Sequence, residues 1–216
     1  MKIEIWSDVA CPFCFIGKRN LEAALAQFPH RNDVEVIWRN FELDPGAQTE
    51  YKENQYELLA KKYGMSLEQA RENTERVAMS GQAVGIAFDF DKVIPTNTFN
   101  AHRLIQFAHQ HGRQDAAEEQ LFKAKFEEGK HVGRKETLLE IAGSIGLDAA
   151  ATEQVLNSDA YTNEVRADEA EAQALGIRGV PFFVFDRKYA ISGAQPVNAF
   201  KQTLEKVWEE AQPVEP

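Results

Sequence analysis

"ACPFCFIGK", residues 10 to 18, holds both cysteines of the chain, three positions apart, where a short alternating strand gives way to an amphipathic run. Before it, "KIEIW" at 2 to 6 places Ile3 and Ile5 on one face of a strand. After it, Pro12 to about Gln27 reads as a helix, with Leu21, Ala24, Leu25 and Phe28 at helical spacing. A second β-rich run follows, "VEVIW" at 34 to 38. The order is strand, helix, strand, with the cysteine pair in the first turn of the helix.

That placement has chemical consequences. A thiol reacts as its thiolate, and a free cysteine with a pKa of about 8.5 is mostly protonated at neutral pH. If the helix starts at Pro12, whose missing N–H would have no intrahelical partner, Cys11 is the N-cap and faces the positive end of the helix dipole. Cys14 lies at i,i+3, roughly 5 to 6 Å away on a helix, within reach of a disulfide. Cys11, at the exposed end, is then the attacking sulfur, and Cys14, a turn deeper, the one that resolves a mixed disulfide. The scheme requires Cys11 to be reachable. A zinc site would need two more ligands, and no second pair of this kind exists; His109 and His111 fall on different helical faces, so no metal is expected.

Further along, from about Asn54 to Leu175, the signals are those of successive helices. Gly64 stops one, and Ser66 with Gln69 has capping-box spacing for the next. Ala101, Leu104, Ile105 and Ala108 form one apolar stripe, and Leu138, Ile141, Ala142 and Ile145 another. Asp148 reads as an N-cap, and Gly176 ends a polar helix predicted to begin near Ser158. Strand chemistry returns in "PFFVFD" at 181 to 186 and "KYAIS" at 188 to 192, close enough for a tight hairpin. Pro196 then opens a final helix with the stripe Val197, Phe200, Leu204, Val207, Trp208 and Ala211, and the tail "AQPVEP" is expected to fray. The sum is βαβ, a helical block, then ββα. This order is that of an α/β chain with a thioredoxin fold interrupted by an all-helical insertion domain: residues 1–45 and 176–216 make the thioredoxin part and 46–175 the insertion.

Composition narrows the partners. With 24 basic and 34 acidic residues the net charge is -10, and no dense Lys/Arg stripe could neutralise a row of phosphates, so nucleic acid is not expected. No apolar run approaches the roughly 18 to 20 residues of a membrane span, and the first residues enter a strand without a signal-peptide pattern. Two cysteines in 216 residues suit a reducing compartment, and the cytoplasm is the expected location.

"SDVACPFCFIGK", "GIRGVPFFVF" and "ISGAQPVNAF" together resemble the FrnE-like branch of the DsbA thioredoxin-fold family, over nearly the whole chain. The resemblance implies a thiol–disulfide oxidoreductase acting on protein or small-molecule thiols and disulfides. No cofactor is implied beyond the redox-active pair, with glutathione a candidate co-substrate. It assigns Cys11 as nucleophile and Cys14 as resolving cysteine, and it makes the Val180–Pro181 bond cis and directed at the sulfurs. A cis bond there turns the N–H and C=O of Val180 outward, where an extended substrate can pair with them. Pro12, Phe13, Val180 and Pro181 are accordingly the expected substrate-binding residues. Periplasmic relatives carry a histidine between the cysteines; Phe13 offers neither charge nor donor, so the disulfide here is expected to be a weaker oxidant.

Three further polar residues are accessory candidates. Asp8, three residues before Cys11, either relays a proton for Cys14 or bonds nearby backbone N–H groups. "PTNTFNAHRL" at 95 to 104 also matches the family: Asn97 is a helix-cap candidate, and His102 is a candidate to point at the sulfurs. Lys18 and Arg19 read as solvated, the remaining charges as the surface of the helical block, and Trp6 and Trp38 as core. Two other functions share the architecture: glutathione-dependent transfer or isomerisation, as in kappa-class glutathione transferases and hydroxychromene-carboxylate isomerases, which typically use serine where Cys11 stands, and non-catalytic client binding.

Overall fold

The computed structural model describes residues 1–211. Strand β1 (Lys2–Ser7) runs into helix α1 (Pro12–Leu25), and a short 3-10 turn, Arg31–Asp33, leads to β2 (Glu35–Asn40). Seven helices follow before the chain re-enters the sheet: α2 (Gln55–Tyr63), α3 (Leu67–Gln82), α4 (Phe99–Gln110), α5 (Gln114–Phe126), α6 (Lys135–Ser144), α7 (Ala149–Leu156) and α8 (Thr162–Ala174). The hairpin β3 (Phe182–Phe185) and β4 (Tyr189–Ser192) and helix α9 (Val197–Ala211) complete it. The sheet order is β2-β1-β3-β4, with β1 parallel to β2 and antiparallel to β3. This is a thioredoxin fold interrupted by helices. The expected fraying of the tail falls on residues 212–216, outside the described residues.

Alternation fixes the two faces of the sheet. Ile3 and Ile5 pair across to Val36 and Trp38 on one side and to Phe185 and Phe183 on the other, and this face packs on α1 and α9 through Leu21, Phe200 and Leu204. Each large apolar side chain buried there contributes about 1.5–3 kcal/mol. The other face carries Trp6 and Val184 against α8, and also Glu4, buried and bridged by the guanidinium groups of Arg39 and Arg187. Arg187 and Asp186 both lie at positive φ, 56° and 45°, within the tight three-residue loop that joins Phe185 to its partner Tyr189.

Local signals set most helix ends. Asn54 and Ser66 each close a capping box, with Glu57 and Gln69, and Asp148 accepts from the Ala151 N–H. Gly64 takes the left-handed conformation, φ 63°, that ends α2. Three boundaries differ from expectation. Helix α1 ends at Leu25, with Gln27 already bonded to the Ala24 carbonyl in a turn at 3.1 Å. Helix α9 starts at Val197, one residue after Pro196. Helix α8 starts at Thr162 instead of near Ser158, because the buried Arg103 guanidinium binds the carbonyls of Val155, Ser158 and Ala160 from the side and Tyr161 turns to φ 65°.

The helical block has its own core of α4, α5, α6 and α7, including both predicted stripes. A third cluster joins it to the thioredoxin part: Cys14, Phe15 and Ile16 of α1 pack against Phe122 and Phe126 of α5, with Phe15 stacked on Phe122 at 5.1 Å. No helix among the described residues is long and apolar enough to cross a membrane.

Candidate active site

The loop from β1 to α1 is built by short backbone bonds. Cys11 N–H donates to the Asp8 carbonyl at 2.9 Å, and Cys14 N–H to the Cys11 carbonyl at 3.1 Å. Cys11 is the extended N-cap of α1, with Pro12 the first helical residue. Its sulfur makes no capping bond; both cysteines are free thiols, and Cys11 Sγ donates to the Val180 carbonyl at 3.6 Å. The Val180–Pro181 bond is cis. Gly17 allows this arrangement, since a Cβ there would come within 3.0 Å of Pro181 and Phe183 side-chain atoms.

Cys11 is not at an exposed end: it is 5% exposed and Cys14 0%. The reason is that α2, α3 and the segment before α4 arch over the start of α1 and leave a cavity of about 570 Å³ instead of open solvent. Cys11, Pro12, Phe13 and Val180 line that cavity, so the sulfur is reached through it. Phe13, 46% exposed, stands at the rim. Cys14 does not line it. Burial, then the hydrogen bond and field of Cys11, push the Cys14 thiol well above its ordinary value, against opposition from the Asp8 N–H and the Ser7 hydroxyl.

Asp8 is fully engaged. Oδ1 accepts from Ala10 N–H at 3.0 Å and the Thr98 hydroxyl at 2.8 Å, and lies 3.3 Å from His102 Nε2; Oδ2 accepts from Leu43 N–H at 2.7 Å. Burial alone would raise its pKa, but His102 and the two backbone N–H groups outweigh burial and the net shift is down. On His102 burial pulls down, while Asp8, Glu118 and Glu42 push up and prevail. Asn40 Nδ2 donates to Asp168 at 2.6 Å, which leaves Asn40 Oδ1, 3.1 Å from His102 Nδ1, as an acceptor. Both ring nitrogens therefore face acceptors, the pattern of an imidazolium.

His102 does not point at a sulfur; both its nitrogens are spent on Asp8 and Asn40. Asn97 Oδ1 accepts from Phe99 N–H, the first of α4, at 2.9 Å, although the N-cap position itself falls on Thr98. Lys18 is not solvated: it is 2% exposed and surrounded by Glu22, Asp115 and Glu119, with Arg19 bridging the same glutamates. Nor do all charges of the helical block lie on its surface. Glu118 is buried, and burial carries its carboxyl up to about 8 against the pull of His102 and Lys18. Lys125, on the cavity wall, is brought down to about 8 by burial, with only Asp8 opposing. Thr98, Asn40, Glu118 and Lys125 carry no sequence signal beyond helical or strand position; only Thr98 sits in a stretch with a recognisable pattern.

The profile of the DSBA-like thioredoxin domain family matches residues 2–205. The crystal structure of a probable DsbA oxidoreductase from Streptomyces coelicolor is 44% identical, with a TM-score of 0.94 over 100% of this chain and 93% of that one. Two more distant structures share the fold at 16% identity. A 2-hydroxychromene-2-carboxylate isomerase gives a TM-score of 0.73 over 97% of both chains. The cytosolic disulfide reductase DsbM from Pseudomonas aeruginosa, solved with GSH, gives 0.66 over 97% of this chain and 100% of that one.

Proposed function

Since the chain belongs to the DSBA-like thioredoxin domain family, we propose that it is a thiol–disulfide oxidoreductase in which Cys11 attacks a substrate disulfide and Cys14 resolves the product. The observation that carries this reading is the asymmetry of the pair. Cys11 lines the cavity at the helix N-terminus, and Cys14 is shut behind it with its thiol held protonated. The Cys11 thiolate forms a mixed disulfide, and a substrate thiolate leaves. Cys11 then carries no charge, so one of the influences that hold the Cys14 proton is gone. Cys14 then attacks Cys11 Sγ, the bond from Cys11 to the substrate sulfur breaks, the departing thiolate takes the Cys14 proton, and the protein disulfide closes.

Asp8 acts here as a structural anion. Its carboxylate oxygens are occupied, and the group it offers to Cys14 is its backbone N–H. Phe13 between the cysteines offers neither charge nor donor to the reduced pair, which supports the reducing or isomerising direction. Glutathione is the small thiol we assign as candidate co-substrate, and the reducing cytoplasm as the compartment in which two cysteines persist as thiols. "SDVACPFCFIGK", "GIRGVPFFVF" and "ISGAQPVNAF" together are the grounds for the FrnE-like branch.

Catalysed insulin reduction, with the protein recycled by glutathione, tests the reading. Wild type turns over, Cys11→Ser does not, and Cys14→Ser stops after one adduct. Turnover by Cys11→Ser at the wild-type rate rejects it.

A further inference from the structure

The cavity before Cys11 combines three features. Its volume, about 570 Å³, is that of a small-molecule site. Its walls are largely apolar, from Leu59, Met65, Val77, Phe90 and Phe126, and its rim carries the exposed side chains of Phe13, Leu43 and Tyr63. On the inner wall, with Asp8, Thr96 and Thr98, lies one buried ammonium, Lys125, 3% exposed.

Lys125 differs from the other buried cations. Lys18 has three carboxylates around it, and Arg103 is tied to three carbonyls. Lys125 Nζ donates once, to the Ile94 carbonyl at 3.0 Å, and forms no ion pair among the described residues. An ammonium has three donors, and burying one without a counter-charge is costly. Asp8, the carboxylate whose field reaches it, has its own oxygens occupied. Lys62, also on the cavity wall, is solvent-exposed and 3.7 Å from Asp44.

We propose that the disulfide attacked by Cys11 is a small one, with an apolar body that fills the cavity and an acidic group held by Lys125. This rests on the thiol–disulfide reading above. Cys11 attacks one sulfur, the substrate S–S bond breaks, and the first half leaves as a thiolate that takes a proton. The second half stays on Cys11 as a mixed disulfide with its carboxylate against Lys125. Cys14 displaces it, giving up its proton to the released thiolate. Two electrons have then passed from the protein dithiol to the substrate disulfide, yielding two thiols and a Cys11–Cys14 bond.

The test uses two aromatic disulfides of similar size, the anionic dithiobis(nitrobenzoate) and the neutral dithiodipyridine, reacted with the reduced full chain. The ratio of their rate constants cancels the reactivity of Cys11 itself. The ratio for native protein is expected to exceed that of the urea-unfolded chain by about tenfold, the equivalent of one favourable contact of about 1.4 kcal/mol. In Lys125→Met it falls to the unfolded value while unfolding stays cooperative. A native ratio equal to the unfolded one, or an unchanged ratio in Lys125→Met, overturns the inference; if dithiodipyridine still reacts at Cys11, the oxidoreductase reading stands. Failure of both reagents to react at Cys11 overturns both.

Discussion

His102 Nε2 lies 3.3 Å from Asp8 Oδ1, both side chains buried, and this contact ties helix α4 to the loop that presents Cys11. The pair predicts a stability window. Asp8 is held below its ordinary 3.8, so its contribution is present above that pH and is lost as pH falls through the depressed value. His102 is held above its ordinary 6.5, so its contribution is complete below 6.5 and is lost as pH rises through the raised value. Urea unfolding of wild type and His102→Gln should therefore differ most between about pH 4 and 6.5, by roughly 3 kcal/mol for a broken buried pair. A difference independent of pH contradicts the ion pair.

Lys125 carries the opposite sign. Its drop from 10.5 to about 8 is a penalty of roughly 3 kcal/mol on the folded state. The penalty is full below about pH 8 and is relieved as pH rises toward 10.5, because the unfolded chain holds the extra proton. Lys125→Met should unfold at higher denaturant than wild type at neutral pH, with the gap narrowing in alkali. A destabilised variant would mean that the ammonium has a partner it needs for folding.

The burial of Cys14 predicts ordered labelling. Iodoacetamide at mildly alkaline pH should modify Cys11 and leave Cys14 intact in the folded protein, as read by peptide mass. Cys11→Ala removes the neighbour that raises the Cys14 thiol and should speed its modification. Equal labelling of the two sulfurs in wild type is the adverse outcome.

Phe13 predicts the redox poise. The reduction potential should lie nearer the roughly −270 mV of thioredoxin than the roughly −120 mV of DsbA. Phe13→His, which supplies a donor and a positive charge to the thiolate, should raise it by some tens of mV. Equilibration against glutathione buffers measures both, and an unchanged potential in the variant would remove Phe13 from the account.

Much of this was legible before the fold was known. The cysteine spacing, the proline after Cys11 and the strand–helix–strand rhythm are local signals, and the elements follow them to within a few residues. What stayed hidden is non-local. Asp8 meets His102 across 94 residues and Leu43 across 35, and no periodicity encodes either contact. Lys18, Glu118 and Lys125 sit at positions that helical patterning assigns to solvent, and they are buried because α1, α4 and α5 pack together there. The burial of Cys11 has the same origin: the helices that cover it, α2 and α3, come from a distant part of the chain.

The division of labour between the two sulfurs is tested most directly by trapping. Reduced Cys14→Ser and Cys11→Ser proteins are mixed with an aromatic disulfide, and the adducts are located by mass. The account predicts one stable mixed disulfide on Cys11 in Cys14→Ser and none on the native Cys11→Ser protein. A rapid adduct on Cys14, or an unreactive Cys11, would contradict it.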